Sequence, residues 1–428
     1  MYKGVDVMSL VNELIAFIDN SPCAFYCVNN LSDELLEKGF EELKENEVFN
    51  IQKNKNYFIK RNDSSLIAFK VGNIESNYKF NIVASHSDSP CFKVKPKCDV
   101  LQSKYNKVLV ERYGGFIYSS WLDRPLSFAG RVILKSGNGY ETRFVNIKKP
   151  CAVIPNVCVH FNRLVNEGYK YNPAVDMIPF VSQEIEGEVF YSLISEELGC
   201  NKEDILSFDL YLYNAEKGLI WGNNNEFISS SRLDNLECAF TSFKSFIDSS
   251  NNNSINVYAV FDNEEVGSST YQGADSDFLS NILKRINNSL GYNEETYYCA
   301  LSSSLLISAD NAHAVHPNHP ELTDSENNAY LNNGIVIKYN ASQSYTTDSI
   351  SSAIFKMICN NKNIPYQEFT NRADIRGGST LGNISIRHAS IKSIDIGLAQ
   401  LAMHSSYETA GSKDIEYLYK ALIEYYSK

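Results

Sequence analysis

Apolar positions change period along this chain, and the changes divide it. Near the start Val11, Leu14, Ile15 and Ile18 recur at three and four residues, the spacing of one helical face, and predict a helix over about residues 8–18. A second helix is expected over about 32–44, with Ser32-Asp33-Glu34-Leu35 offering a cap. From about 91 to 225 the runs shorten. Lys107-Val108-Leu109-Val110, Arg131-Val132-Ile133-Leu134 and Phe208-Asp209-Leu210-Tyr211-Leu212 read as strands, with Gly114-Gly115 and Gly137-Asn138-Gly139 as turns. Beyond Asp234 the helical period returns in Leu236, Ala239, Phe240, Phe243 and Ile247. It then alternates with short apolar strands to an amphipathic end at Ile415, Leu418, Leu422, Ile423 and Tyr426. The pattern predicts an α/β domain in two pieces, 1–90 and 226–428, interrupted by a β-rich insertion, 91–225. No internal repeat is visible, and Asn251-Asn252-Asn253 is a turn-length polar tract.

Several apolar runs end in a polar cluster. The sharpest is 255–269, I-N-V-Y-A-V-F-D-N-E-E-V-G-S-S. Glu264 and Glu265 read alone as a solvated acidic turn, but two carboxylates at the tip of a buried strand repel each other unless a cation or a shared proton compensates them. Both serve one site only where the strand gives way to a turn, which Val266-Gly267-Ser268 supplies. Residues 80–90 end a second strand in His86-Ser87-Asp88, an imidazole with a carboxylate two residues on that is placed to orient it. Asp234, before the helical run, is either that helix's N-cap or a ligand. The run 304–310 closes on Asp310, followed by a loop holding His313, His316 and His319. Pro317 and Pro320 argue against a helical histidine pair there, so the loop reads as a substrate wall. His404 follows the strand 391–396 and alone could be a core histidine. Together, His86, Asp234, Glu264, Glu265, Asp310 and His404 form a nitrogen and oxygen set without thiolates, suited to zinc, cobalt or manganese. One carboxylate between two ions could bridge them, as in two-metal hydrolases.

The strings H-S-D-S-P, S-R-L-D-N, D-N-E-E-V-G-S, D-N-A-H-A-V-H-P-N, G-I-V-I-K-Y-N and L-A-M-H-S strongly resemble the M18 aminopeptidases, the aspartyl aminopeptidase family, in order and spacing over nearly the whole chain. The resemblance implies a metallopeptidase-type catalytic domain with a mixed sheet and an inserted oligomerisation domain. It implies two zinc ions per subunit, with cobalt or manganese as alternatives. His86 and Asp310 would hold one ion, Glu265 and His404 the other, Asp234 would bridge them, Glu264 would be the general base, and Asp88 would orient His86. It also implies hydrolysis of N-terminal residues from peptides with a preference for Asp or Glu, and contacts to substrate from His160, His313, Lys338 and Tyr345. Lys338, on the strand-like run 334–339, would meet an acidic side chain; without the family it reads as a solvated strand-end lysine. His160 would reach a neighbouring subunit's site, which calls for a homo-oligomer built from dimers, up to a dodecamer. Gly377-Gly378-Ser379-Thr380-Leu381-Gly382 matches a family turn and lacks the lysine of a phosphate loop.

Composition narrows the remaining choices. With 428 residues, two sizeable cores are expected. A net charge of −12 without a Lys/Arg block disfavours nucleic acid and acidic membranes as partners. Residues 1–20 carry Asp6, Glu13 and Asp19, an amphipathic helix and not a secretion signal, and no run is long enough to span a bilayer. The ten cysteines show no C-x-x-C and read as reduced thiols, so a cytoplasmic location is expected. Two other readings are a different dinuclear hydrolase, such as a deacylase or carboxypeptidase, and a non-enzymatic shell or cargo protein.

Overall fold

The computed structural model describes residues 7–250, 253–375, 377–378 and 380–428. Asn251 and Asn252 of the polar tract, and Ser379 of the glycine-rich turn, lie outside the described residues.

A nine-stranded mixed sheet forms the centre. From one edge its order is Glu41–Glu42, Asn56–Arg61, Ser65–Val71, Ile255–Phe261, Phe80–His86, Leu305–Ala309, Lys392–Gly397, Ile335–Tyr339 and Tyr366–Thr370. The four strands from Ile255–Phe261 to Lys392–Gly397 run parallel. Helices cover both faces of a parallel sheet, so its strands read as unbroken apolar runs. Ile255–Phe261 shows this: Val257, Ala259 and Phe261 point to one core with Phe278, Ile282 and Ile286 of helix Phe278–Ser289. Tyr258 and Val260 point to the other core, with Leu236, Phe243 and Leu418 of helices Leu233–Asp248 and Asp414–Tyr426.

Residues 91–214 make a second sheet, six strands all antiparallel, ordered Gly139–Asn146, Leu126–Ser136, Ile205–Asn214, Cys91–Gln102, Tyr105–Tyr113 and Phe180–Gln183. It has its own core of Phe92, Phe128, Val132, Leu210 and Leu212, closed by Phe190 and Ile194 of helix Val189–Leu198. The expected strands all lie in it, and Gly137 and Asn138 make the turn between Leu126–Ser136 and Gly139–Asn146. Leu219–Trp221 joins a third, five-stranded sheet with Phe227–Ser230, Glu408–Gly411, Ala399–Leu401 and Ala312–His313.

The first helix, Val7–Asn20, agrees with its expected span. The second does not. It runs Ala24–Glu37, because its apolar stripe already begins at Ala24, Phe25, Cys27, Val28 and Leu31. Ser32, expected as a cap, is buried mid-helix with its hydroxyl donating to the Asn29 carbonyl at 2.9 Å. After Gly39, at φ +80°, the chain enters the sheet edge at Glu41–Glu42, where the helix was expected to continue.

Candidate metal centre

Three parallel strands deliver their ends to one side of the central sheet. His86 is the last residue of Phe80–His86 and pairs with Phe261. Past Phe261 the chain turns through Asn263, at φ +64°, into the short 3-10 turn Glu264–Val266, closed by Gly267 at φ +95°. That turn brings the adjacent glutamates to a single site. Asp88 holds it: its carboxylate accepts the backbone N–H groups of Glu264 and Glu265, both at 3.2 Å, and the Tyr113 hydroxyl at 2.7 Å. Asp310 follows Leu305–Ala309 directly. Asp234 lies in the first turn of the helix Leu233–Asp248 with extended φ/ψ (−80°, 108°); the N-cap position is held by Arg232, and the Asp234 oxygens face the His86 and His404 imidazoles. His404, at φ +65°, sits on the turn between Ala399–Leu401 and Glu408–Gly411.

The side chains converge. His86 Nε2 lies 3.5 Å from Asp234 Oδ1 and 3.6 Å from Asp310 Oδ1, while His404 Nε2 lies 3.2 Å from Asp234 Oδ2 and 3.4 Å from Glu265 Oε1. Two donor sets result, His86–Asp234–Asp310 and Asp234–Glu265–His404, with one Asp234 oxygen toward each imidazole; His86–Glu264–Glu265 makes a third. His86 Nδ1 faces the Asp88 backbone carbonyl at 3.1 Å as well as its carboxylate at 3.4 Å.

Carboxylates crowded in a buried place shift several of the protons beside them. Burial alone would depress the His86 pKa, but Asp234, Asp310 and Asp88 outweigh it and hold it well above the usual range. The same contest, won by Asp234 and Glu265, lifts His404 to about 10. Burial would raise Asp234, yet His404 and His86 pull it below the usual carboxylate range. Burial, with Asp234 beside it, pushes Glu265 far up; burial, only partly offset by His86 and reinforced by Asp310, pushes Glu264 up to about 8. Asp234 Oδ1 and Glu265 Oε1 are buried without a hydrogen-bond partner, a costly state for carboxylate oxygens. Orphaned oxygens facing imidazole nitrogens, excess negative charge and a nitrogen and oxygen donor set fit divalent metal.

His313, Lys338 and Tyr345 line the same cleft with Phe369, Gly378, Thr380 and Met403, around about 970 Å³ of space open to solvent. Burial and then the Lys338 ammonium lower the His313 pKa. Lys338 is not a solvated strand-end lysine. It is buried, donates to the carbonyls of Asp310 at 2.8 Å and Asn311 at 3.2 Å, and lies 5.3 Å from the Tyr345 ring centroid. Two of its three N–H groups are thus committed to backbone. His160 is elsewhere, in an exposed turn and not in a strand, beside the exposed Val157, Val159, Phe161 and Leu164.

Sequence reasoning missed Glu408, a buried carboxylate that accepts the backbone N–H of Asp234 at 3.0 Å and of His404 at 2.7 Å. It also missed Tyr113, which the six-stranded sheet extends to Asp88 and which accepts from Asn263 Nδ2 at 2.8 Å. Neither stands in a motif, and both act on backbone or on another positioning group.

Residues 17–426 match the family model of Aminopeptidase I zinc metalloproteases (M18). The chain is 46% identical over 428 residues to a probable M18 family aminopeptidase 2 of Clostridium acetobutylicum, covering 98% of this chain and 99% of that protein. Among solved structures, a chain of the Ape4 and Nbr1 complex superposes with a TM-score of 0.95 at 33% identity, covering 98% of this chain and 86% of the other. The Saccharomyces mApe1 dodecamer superposes with 0.85 at 23%, covering 97% and 96%.

Proposed function

This chain belongs to the M18 family of zinc aminopeptidases, metallo-hydrolases acting on peptides, and we propose that it is a two-metal enzyme that removes N-terminal residues, preferring Asp and Glu. The observation that carries the two-ion reading is Asp234, whose two oxygens face His86 and His404 separately while Asp310 completes one set and Glu265 the other. In this reading Asp310 and His86 hold one ion, Glu265 and His404 the other, and Asp234 is common to both; zinc suits the set, as do cobalt and manganese. When bound, the ions supply Lewis acidity to the scissile carbonyl and make water a nucleophile at neutral pH. Glu264 takes the proton of the attacking water and returns it to the leaving amine, with its turn held in register by Asp88. Asp88 also fixes His86 through the Nδ1 contact.

Lys338 is the one lysine or arginine lining the cleft among the described residues, which supports an acidic preference. Tyr345 and His313 shape the same wall. The insertion, residues 91–225, serves oligomerisation in this proposal, and the discontinuous remainder, 1–90 and 226–428, serves catalysis. Its exposed apolar loop at 157–164 supports a homo-oligomer of dimers in which His160 enters a neighbour's site, as does the likeness to a dodecamer. Ten free thiols support a cytoplasmic location, and among the described residues no helix is long and apolar enough to cross a membrane.

The test is a hydrolysis profile across aminoacyl substrates, free and N-acetylated, with zinc, cobalt and manganese in turn. The proposal expects cleavage only with a free amine and the highest kcat/KM for Asp and Glu. Hydrolysis of acetylated substrates would favour a deacylase, and loss of the acidic preference would remove Lys338 from the specificity argument.

A further inference from the structure

The two ligands shared by the His404 donor set stand on irregular backbone. His404 has a left-handed φ of +65°, two residues after Ala402 at +56°, and Asp234 departs from the helix whose first turn it occupies. The His404 conformation is one that few residues other than glycine adopt, and that of Asp234 is extended backbone inside a helical turn. Each residue is fixed at its carbonyl by a distant partner: His404 O accepts from the Ile117 N–H at 3.1 Å, and Asp234 O accepts from the Ser89 hydroxyl at 2.6 Å. Each is fixed at its N–H by the same side chain, Glu408, one carboxylate oxygen apiece.

That placement is expensive. Glu408 is 2% exposed and, among the described residues, makes no ion pair; burial and then Asp234 beside it push its pKa up to about 8, against the two backbone N–H groups and the His404 imidazole. What the geometry shows is one side chain whose two oxygens take the backbone N–H groups of two separate ligands. A glutamine could accept one N–H, but its amide would turn a donor toward the other.

We propose that Glu408 is a positioning residue that ties the backbones of Asp234 and His404 together and so sets the affinity of the metal site those residues form with Glu265. This rests on the two-metal reading above. Glu408 belongs to none of the three donor sets; it acts by holding the distance between two ligands that are far apart in the chain.

Zinc would be titrated into stripped full-length protein against a chromophoric chelator, and cobalt into the same protein while its visible absorption is recorded. Wild type should take two ions, and His404→Ala should lose one. If either control fails, the metal reading itself fails, independently of Glu408. With both controls met, Glu408→Gln should bind one ion about 10–100-fold more weakly, as loss of an outer partner does. The other ion should change less, because only Asp234 of its ligands is held by Glu408 while His86 and Asp310 are set by strands Glu408 does not touch, and the cobalt band of the weakened site should shift. Two ions bound within threefold of wild type, with an unchanged cobalt spectrum, would overturn the proposal. Should Glu408→Gln fail to fold, Glu408→Asp, which keeps the charge but is one methylene too short to reach both N–H groups, is read by the same measure. Failure of both to fold would make Glu408 a general structural residue and also overturn it.

Discussion

Metal binding at this site should expel protons, and the structure gives the scale. In the metal-free protein His404 has a pKa of about 10, lifted by Asp234 and Glu265 against burial. At pH 7 its imidazole is then protonated in all but about one molecule in a thousand. An ion that takes Nε2 must displace that proton, at a cost of up to about 4 kcal/mol, less solvent screening because the ring is 33% exposed. His86 is shifted the same way and is buried, so a second proton must leave. The sign follows: a raised imidazole pKa means the proton competes with metal below that value, so affinity climbs as pH rises. We expect about one proton or more released per zinc at pH 7, and log affinity rising by about one unit per pH unit between 6 and 8. Calorimetric titration of zinc into stripped protein, in buffers of different ionisation enthalpy, reads the proton count directly. A heat that is the same in every buffer, with affinity flat from pH 6 to 8, would show neutral imidazoles in the metal-free site and refute the electrostatic reading.

Activity should accordingly fall in mild acid together with metal content; inactivation with both ions retained would break that link. Glu264→Gln should keep its metals and lose about 10²–10⁴ in rate, whereas Glu265→Gln should lose metal from the His404 set, and equal metal loss in both would sink the division of roles. Lys338→Leu should depress kcat/KM for N-terminal Asp and Glu far more than for Ala or Leu. A uniform loss would instead reduce Lys338 to a support for the Asp310 and Asn311 carbonyls. Mixing His160→Ala with Glu264→Gln subunits should restore activity in hybrids, each of which has one site with both native groups; hybrids that form and stay inactive would remove His160 from a neighbour's site.

What the sequence made legible was whatever sits at the end of a covered strand. His86, the Glu264-Glu265 pair and Asp310 interrupt runs that are apolar because helices bury both faces, so period and interruption are read together. Asp234 was ambiguous because a helix head and a ligand look alike in one dimension, and only the fold shows that the cap position is Arg232 and that Asp234 faces two imidazoles. The second helix was misplaced because Ser32-Asp33-Glu34 imitates a cap, while the stripe that decides the span starts eight residues earlier. Glu408 was invisible for a deeper reason. Its partners are backbone N–H groups, which every residue carries, so no pattern of side chains announces it. Lys338 was found, but its commitment to two carbonyls was not, since those bonds depend on the sheet order that sets Ile335–Tyr339 two places from Leu305–Ala309.

The order of strands also sets a timetable for synthesis. Phe80–His86 is buried along its whole length, yet both its neighbours, Ile255–Phe261 and Leu305–Ala309, are made long after it. About 170 residues separate His86 from Ile255, so at about 5–20 residues per second a ribosome leaves that strand unpaired for roughly 8 to 34 s. Meanwhile every ladder of the six-stranded sheet falls within residues 91–214 and can close as soon as Asn214 has emerged. The nascent chain therefore carries a finished sheet and an open apolar strand tethered side by side. That makes the interval before residue 255 the stage of this protein's life most exposed to aggregation and most in need of a chaperone.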